Sequence, residues 1–375
     1  MGIDRGRVIS PGRVNLLGEH VDYNDGLVLP AAIDRSVIIH FHRVEEPVVT
    51  LYARDLGEEC NFDPHDLTNK TDIHRNLLPA WALYPAGVIW NLHNYDLAVD
   101  GFTADFHSDI PIGAGLSSSA AVEVGFAVVC EALGGWQLDR MTLARICQEA
   151  EREYVGVNCG LMDQFACACG VENHAVMLDT RSLLFRPVPL PSDTAIVIAD
   201  STLRRALVNS AYNDRRSDCD QAVMYFRGLD PSVRALRDVS LDLFLTAKND
   251  LAPGVFQHAR HVVEEIARVN EAIQLLDKND AEGFGRLMYA THESLRDLYE
   301  VSLPELDILV EGASQIDGCL GARLTGAGFG GCTVNLVQKT RVNDFIHHLG
   351  EWYEAKTGLK AGIFATVPSQ GAHLF

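Results

Sequence analysis

The sequence predicts a two-domain α+β protein, and three observations carry that expectation. Its 375 residues exceed what one hydrophobic core usually serves. Strand and helix patterns alternate through the first half, whereas a long helical stretch followed by renewed strands fills the second. No repeat, low-complexity tract or Gly-, Pro- or Ser-rich linker separates the halves, so the domains are expected to abut.

Taken in order, RVIS, SVIIHFHRV and PVVTLYAR read as strands because β-branched and aromatic residues dominate them. AWALYPAGVIWNL and the run from Ser119 to Leu133 read as helices, the second stopped by Gly134 and Gly135. After Gly170, HAVMLD and LLFRPVPL form an expected strand pair turned at Thr180, Arg181 and Ser182, with AIVIAD as the next strand. Amphipathic segments near 204–227, 256–276 and 280–298 predict helices. CTVNLV and AGIFATV read as strands flanking a helix near 341–356. The boundary is expected near residue 190, giving an N-terminal domain of 1–190 and a C-terminal domain of 191–375.

Composition narrows the function. The chain carries 51 acidic against 31 basic residues, a formal charge of -20, and a nucleic-acid partner is not expected, since phosphate neutralisation needs basic side chains. A small anionic nucleotide is still compatible, because backbone N–H groups, a metal and one or two local cations can hold it. The nine cysteines include no CxxC pair, which argues against zinc and a disulfide framework and for a reducing compartment. Cys167 and Cys169 in FACACG read as small core residues. MGIDRGRVIS lacks the features of a signal peptide, and the most apolar stretch, AAVEVGFAVVCEAL, is interrupted by Glu123. A cytoplasmic protein without a membrane span is expected.

Four clusters carry candidate chemistry. No GxxxxGK[ST] loop exists, so any phosphate site needs another device. IPIGAGLSSSAAVEVGFAVV offers one: Gly113 and Gly115 permit close backbone approach, three serines follow, and a helix begins whose first N–H groups face the loop. An ordinary serine N-cap after a glycine turn is the plainer reading of the same residues. In LTGAGFGGCTVNLV, Gly326, Gly328 and Gly331 match GxGxxG, but the strand pattern that follows excludes a dinucleotide fingerprint, and with it a nicotinamide oxidoreductase. A glycine-rich hairpin or crossover loop is expected there. SPGRVNLLGEHVDYNDGLVLP gathers Arg13, Glu19, His20 and Asp22 between helix-breaking glycines, either as a solvated turn or as a set that reads the hydroxyls of a sugar. Lastly, AEREYVGVNCGLMDQF carries Glu151 on a helix expected to end near Gly156, then Asp163 at the start of another. Asp163 either serves that helix start or is buried with a cationic partner, for which Arg13 is a candidate.

In this order, GRVNLLGEHVDYNDG, PIGAGLSSSAA and LTGAGFGGC resemble the three signature motifs of the GHMP kinases. The first resembles the galactokinase signature in particular. WALYPAGV, CGLMDQF, SAYNDRR, HARHVVEE and HESLRDLYEVSLPELDILV extend the resemblance over almost the whole chain. It implies the two-domain α+β GHMP kinase fold, with an N-terminal layer like ribosomal protein S5 domain 2 and a ferredoxin-like C-terminal layer. It also implies ATP-dependent phosphorylation of the anomeric hydroxyl of galactose, with Mg2+ as cofactor, in a monomer or weak homodimer.

Position by position, the resemblance implies Asp163 as the catalytic aspartate with Arg13 beside it. Glu19, His20, Asp22, Gly160 and Tyr212 fall on sugar contacts. Gly113, Ala114, Gly115, Leu116, Ser117, Ser118 and Ser119 fall on the phosphate loop, Trp81 on an aromatic residue of the adenine pocket, and Ser119 with Glu151 on the magnesium pair. Fewer residues precede the first motif than in most galactokinases, a departure that bears on the packing of the N-terminal edge and not on the chemistry. Two alternatives accompany this reading. One is a kinase for N-acetylgalactosamine, arabinose or a uronic acid, which needs room or a cation that only Arg215 and Arg216 could supply. The other is a non-catalytic galactose sensor, against which the complete LSSSAA, Arg13 and Asp163 argue.

Overall fold

The computed structural model describes residues 2–97, 99–204 and 208–375, with only the backbone of 208–211. The chain begins with β1 (Arg5–Asn15), turns at Asp22–Asn24, and continues through β2 (Leu27–Val28), β3 (Pro30–Arg43), β4 (Val49–Ala53) and β5 (Glu58–Phe62). Helix α1 (Leu83–Asn94), β6 (Phe102–Ser108), α2 (Ser118–Gly134), α3 (Arg140–Glu149) and α4 (Met162–Cys169) follow. Next come β7 (His174–Asp179), β8 (Phe185–Pro189) and β9 (Thr194–Asp200). The helical stretch comprises α5 (Val208–Leu229), α6 (Leu241–Thr246), α7 (Pro253–Asp277), α8 (Ala281–Asp297) and α9 (Pro304–Gln315). It is closed by β10 (Cys319–Thr325), β11 (Cys332–Gln338), α10 (Val342–Thr357), β12 (Gly362–Thr366) and β13 (His373–Leu374). Residues 205–207 of the helical segment expected from 204 lie outside the described residues.

Three sheets organise these elements. The largest has the order β13-β1-β3-β6-β4-β5, antiparallel except where β4 runs parallel to β6. The second, β10-β11-β9-β12, is antiparallel throughout, and β2-β7-β8 forms the third. Helix α2 packs on β1 and β3, while α8 and α9 lie against β10. Those faces are filled by wholly buried side chains such as Phe126, Ile39, Phe284 and Leu324, each worth roughly 1.5–3 kcal/mol of apolar burial. The expected hairpin reading of LTGAGFGGC is what the chain adopts, since β10 and β11 pair directly across it.

Two local features aim the site. The β1 register shifts between Pro11 and Arg13, a bulge that re-aims the strand, and the Arg13 N–H donates to the Leu116 carbonyl at 3.0 Å instead of to β3. Beyond α3, the helix widens into a π-turn over Ala150–Val155 that ends at Gly156, whose φ of 95° is left-handed. Glu151 sits on that turn.

Candidate active site

Arg13, 3% exposed, connects three parts of the fold. Its Nε donates to Asp163 Oδ1 at 2.8 Å, Nη2 lies 2.7 Å from the same oxygen, and Nη1 donates to the Gly115 carbonyl at 2.6 Å. Burial works against the guanidinium charge, but Asp163 and Glu19 outweigh it and hold the Arg13 pKa above its ordinary value. Asp163 lies in the first turn of α4, yet Leu161 is the residue at the cap position and no side-chain cap bond forms there. The Asp163 carboxylate is therefore held by Arg13 through Oδ1, and Oδ2 makes no hydrogen bond among the described residues.

That cleft, of about 160 Å³, is lined by Arg13, Glu19, His20, Asp22, Glu151, Gly160, Asp163 and Tyr212, together with Gly326 and Ala327 of the glycine-rich hairpin. All five expected sugar residues thus meet at one place. Burial, then the neighbouring charges of Asp163 and Glu19, push the Asp22 carboxyl up to about 6. A Cβ on Gly160 would lie 1.7 Å from Asp22 Oδ2, so only glycine lets that carboxylate pack there. Glu19 Oε2 accepts from the Gly326 N–H at 3.1 Å and from the guanidinium of Arg323. Burial pushes its pKa up, although Arg323 and Arg13 oppose the shift. His20, at φ 61°, has both ring nitrogens engaged: Nδ1 with Tyr23 Oη at 3.0 Å and Nε2 with the Ala327 carbonyl at 3.2 Å. Burial holds its pKa down at about 3, so the ring is neutral.

The serine loop closes the other side. Gly113 and Gly115 take φ of 67° and 75°, and Cβ atoms on Gly326 and Gly331 would strike the carbonyls of Gly115 and Ala114 at 2.8 and 2.7 Å. Two glycine loops far apart in sequence therefore approach backbone to backbone. Ser117 precedes α2 in a left-handed conformation and makes no capping bond, so the plain N-cap reading fails; its buried Oγ is without a partner among the described residues. Beside this loop lies a second cleft, of about 260 Å³ and mainly apolar, lined by Trp81, Tyr84, Phe106, Ser118, Ser119 and Val122 among others. Trp81 donates its indole N–H to Glu58 at 2.7 Å, presenting an aromatic wall to the end of the serine loop.

Ser119 lines this apolar cleft, whereas Glu151 lines the polar one. The Gln164 amide donates to both Glu151 at 2.6 Å and Glu123 at 2.8 Å. Burial pushes Glu151 up to about 7 and, with Glu151 as neighbour, Glu123 well above the carboxylate range. Among the described residues no cation pairs with either buried carboxyl, and Ser119 stands one helical turn before Glu123 on α2, so these hard oxygen donors are short of positive charge. That chemistry fits Mg2+, which takes one or two protein oxygens and completes its shell with phosphates and water.

Sequence reading missed the residues that hold the loop carrying Gly18, Glu19 and His20. Arg323, fully buried, donates to the Asn15 carbonyl at 2.8 Å and to Glu19. Glu265, also fully buried, accepts the Gly18 N–H and the Thr291 hydroxyl, each at 2.8 Å, and pairs with Arg268. Their only signal was a charged residue inside an apolar strand and an apolar helix face, at positions where burial demands a partner.

A kinase of the GHMP architecture is the class these features define. Residues 84–171 match the GHMP kinases N terminal domain and residues 272–355 the GHMP kinases C terminal domain, while residues 2–43 match the galactokinase galactose-binding signature. Mevalonate kinase of Methanococcus jannaschii shares the fold, with a TM-score of 0.69 at 19% identity over 99% of both chains. The galactokinase of Roseiflexus sp. is 44% identical over 97% of this chain and 91% of its own, and that of Haemophilus influenzae 39% identical over 98% and 94%. The crystal structure of Lactococcus lactis galactokinase complexed with galactose superposes with a TM-score of 0.93 at 35% identity, covering 99% of this chain and 95% of that one. This chain belongs to the galactokinase family of the GHMP kinases.

Proposed function

We propose that this protein transfers the γ-phosphoryl group of ATP to the anomeric hydroxyl of galactose, yielding galactose 1-phosphate and ADP. The observation that carries the reading is the position of Arg13, which joins the carboxylate of Asp163 to the serine loop through Gly115. Phosphoryl transfer asks the protein mainly to position reactants and to neutralise charge spread over the transferred oxygens. The loop from Gly113 to Ser119 and the start of α2 supply N–H groups and a helix dipole for the phosphates. Trp81 and its apolar cleft receive the adenine. Asp22, Glu19, His20, Gly160 and Tyr212 surround the sugar, and Asp163 Oδ2 accepts the proton of the attacking hydroxyl.

Ser119 and Glu151 are the residues that would hold Mg2+, which when bound screens the phosphate charge and orients the γ-phosphoryl group. Glu123 and Gln164 then keep the Glu151 carboxyl in place. Among the described residues no helix is long and apolar enough to cross a membrane, and the described cysteines are all free thiols; both support a cytoplasmic enzyme.

A panel of sugars with purified protein and magnesium ATP tests the reading. ADP release with galactose, and an α-linked 1-phosphate seen by phosphorus NMR, is the expected result. Binding of both ligands without ADP would make the protein a sensor. Faster turnover of N-acetylgalactosamine, arabinose or a uronic acid would replace the substrate.

A further inference from the structure

His20 stands at the end of a hydrogen-bonded row that runs away from the cleft into the C-terminal half. Tyr23 Oη lies 3.0 Å from His20 Nδ1, Tyr299 Oη lies 2.6 Å from Tyr23 Oη, and Cys219 Sγ lies 3.7 Å from Tyr299 Oη. Tyr299 is wholly buried, and its ring packs against those of His20, His258 and His261 at centroid distances of 4.7, 5.6 and 4.6 Å. The backbone anchors it too, since the Tyr299 carbonyl accepts Arg215 Nε at 2.6 Å.

The proton order along this row follows from its ends. Ala327 offers His20 a carbonyl, which only accepts, so the proton of the neutral ring must sit on Nε2 and Nδ1 must be bare. Tyr23 must then donate to Nδ1. Its single proton is spent, so Tyr299 must donate to Tyr23, and the Cys219 thiol is left to donate to Tyr299. Each hydroxyl in such a chain strengthens the next.

We propose that Tyr23 and Tyr299 are positioning residues that lock His20 in the Nε2–H tautomer, so that the imidazole presents the sugar with a hydrogen-bond donor and never an acceptor. The cleft is then polarised: the His20 Nε2–H donates a hydrogen bond to a sugar oxygen, shared with the Ala327 carbonyl, while the carboxylates of Asp22 and Glu19 accept hydrogen bonds from sugar hydroxyls. A hydroxyl turned the wrong way meets a group of the wrong kind. This inference rests on the galactokinase reading for its sugar, but the tautomer does not.

Nitrogen NMR of histidine-labelled, sugar-free enzyme, with the His20 signals assigned by their loss in His20→Gln, reads the tautomer directly. A protonated Nε2 and a bare Nδ1 are expected; a protonated Nδ1, or an imidazolium, overturns the proposal whether or not galactose is the substrate. In Tyr23→Phe the tautomers should mix and the KM for galactose should rise about tenfold, as for a lost hydrogen bond to a buried acceptor, with kcat and the KM for ATP held within about twofold. Tyr299→Phe, which leaves the Tyr23 donor in place, should raise the galactose KM about threefold. An unchanged galactose KM in Tyr23→Phe, or an equal loss in kcat and ATP binding, contradicts a positioning role. Should Tyr23→Phe fail to fold, the wild-type spectrum and Tyr299→Phe decide.

Discussion

Nε and Nη2 of Arg13 converge on a single oxygen of Asp163, at 2.8 and 2.7 Å, although 150 residues separate the two in sequence. One carboxylate oxygen is thereby fixed, which in the proposed mechanism leaves the other to accept the proton. Asp163→Asn preserves shape without charge, so kcat should fall by about two to four orders of magnitude while sugar and nucleotide still bind. Arg13→Lys should also be damaging, because an ammonium cannot hold both Asp163 and the Gly115 carbonyl. Steady-state rates of the double variant should show a loss smaller than the product of the single losses; independent multiplication would separate the pair.

Asp22 and Gly160 should set sugar choice. Galactose is expected to exceed glucose in kcat/KM by at least about a hundredfold, since a misplaced hydroxyl leaves buried polar groups unpaired. Asp22→Ala should weaken galactose binding and leave ATP binding nearly unchanged. Gly160→Ala should do the same without touching charge, because the new Cβ would displace the Asp22 carboxylate. Calorimetric titration with each ligand checks both.

The Glu151 carboxyl should report on the metal. Chelation should abolish turnover, and Glu151→Gln should raise the Mg2+ concentration needed for half-maximal rate. An unaltered magnesium dependence would return Glu151 to a packing role under Gln164.

A pH dependence follows from Asp22, pushed up to about 6 by burial and by Asp163 and Glu19. In the proposed binding mode ionised Asp22 accepts from a sugar hydroxyl, so the KM for galactose should climb as pH falls below about 6, and Asp22→Asn should remove that limb. The stability contribution has the opposite sense. Its folded pKa exceeds the unfolded value of 3.8, so the folded state binds more protons between the two, and the protection this group gives is present below the lower value and lost as pH rises through about 6. Urea midpoints of wild type and Asp22→Asn across that window measure it.

Arg323 should matter for stability as much as for binding. Arg323→Met leaves Glu19 buried without its cation, a change expected to cost about 3–5 kcal/mol. Urea denaturation gives the loss, and Arg323→Met with Glu19→Gln should recover part of it.

Much of this was legible in the sequence because it was local. Helices α2, α7, α8 and α10 are marked by periodicity and by stops such as Gly135, whose φ of 71° is left-handed. The hairpin character of LTGAGFGGC followed from the strand pattern after Gly331. Pairings across hundreds of residues were not legible from patterns, because an apolar surround marks Arg323 and Glu265 as charges in need of a partner without saying which partner the fold brings to them. The pairing of Arg13 with Asp163 stood as one of two readings of the residues, beside a helix-start role for Asp163, and the resemblance favoured it. His20 read only as one member of a polar loop for a related reason: Tyr299, which engages its ring through Tyr23, lies 279 positions further along the chain.

The last strand has a consequence for how the molecule is made. Residues 373–374 form the outer strand of the sheet that contains β1, pairing His373 with Ile9 and Leu374 with Val8, and the Phe375 ring sits 3.8 Å from the Arg7 guanidinium. During synthesis the sheet begun by β1 keeps an open edge until β13 leaves the ribosome. An open edge invites pairing with other chains, so the newborn N-terminal half is exposed to misassociation for the whole time the ribosome spends on the C-terminal half.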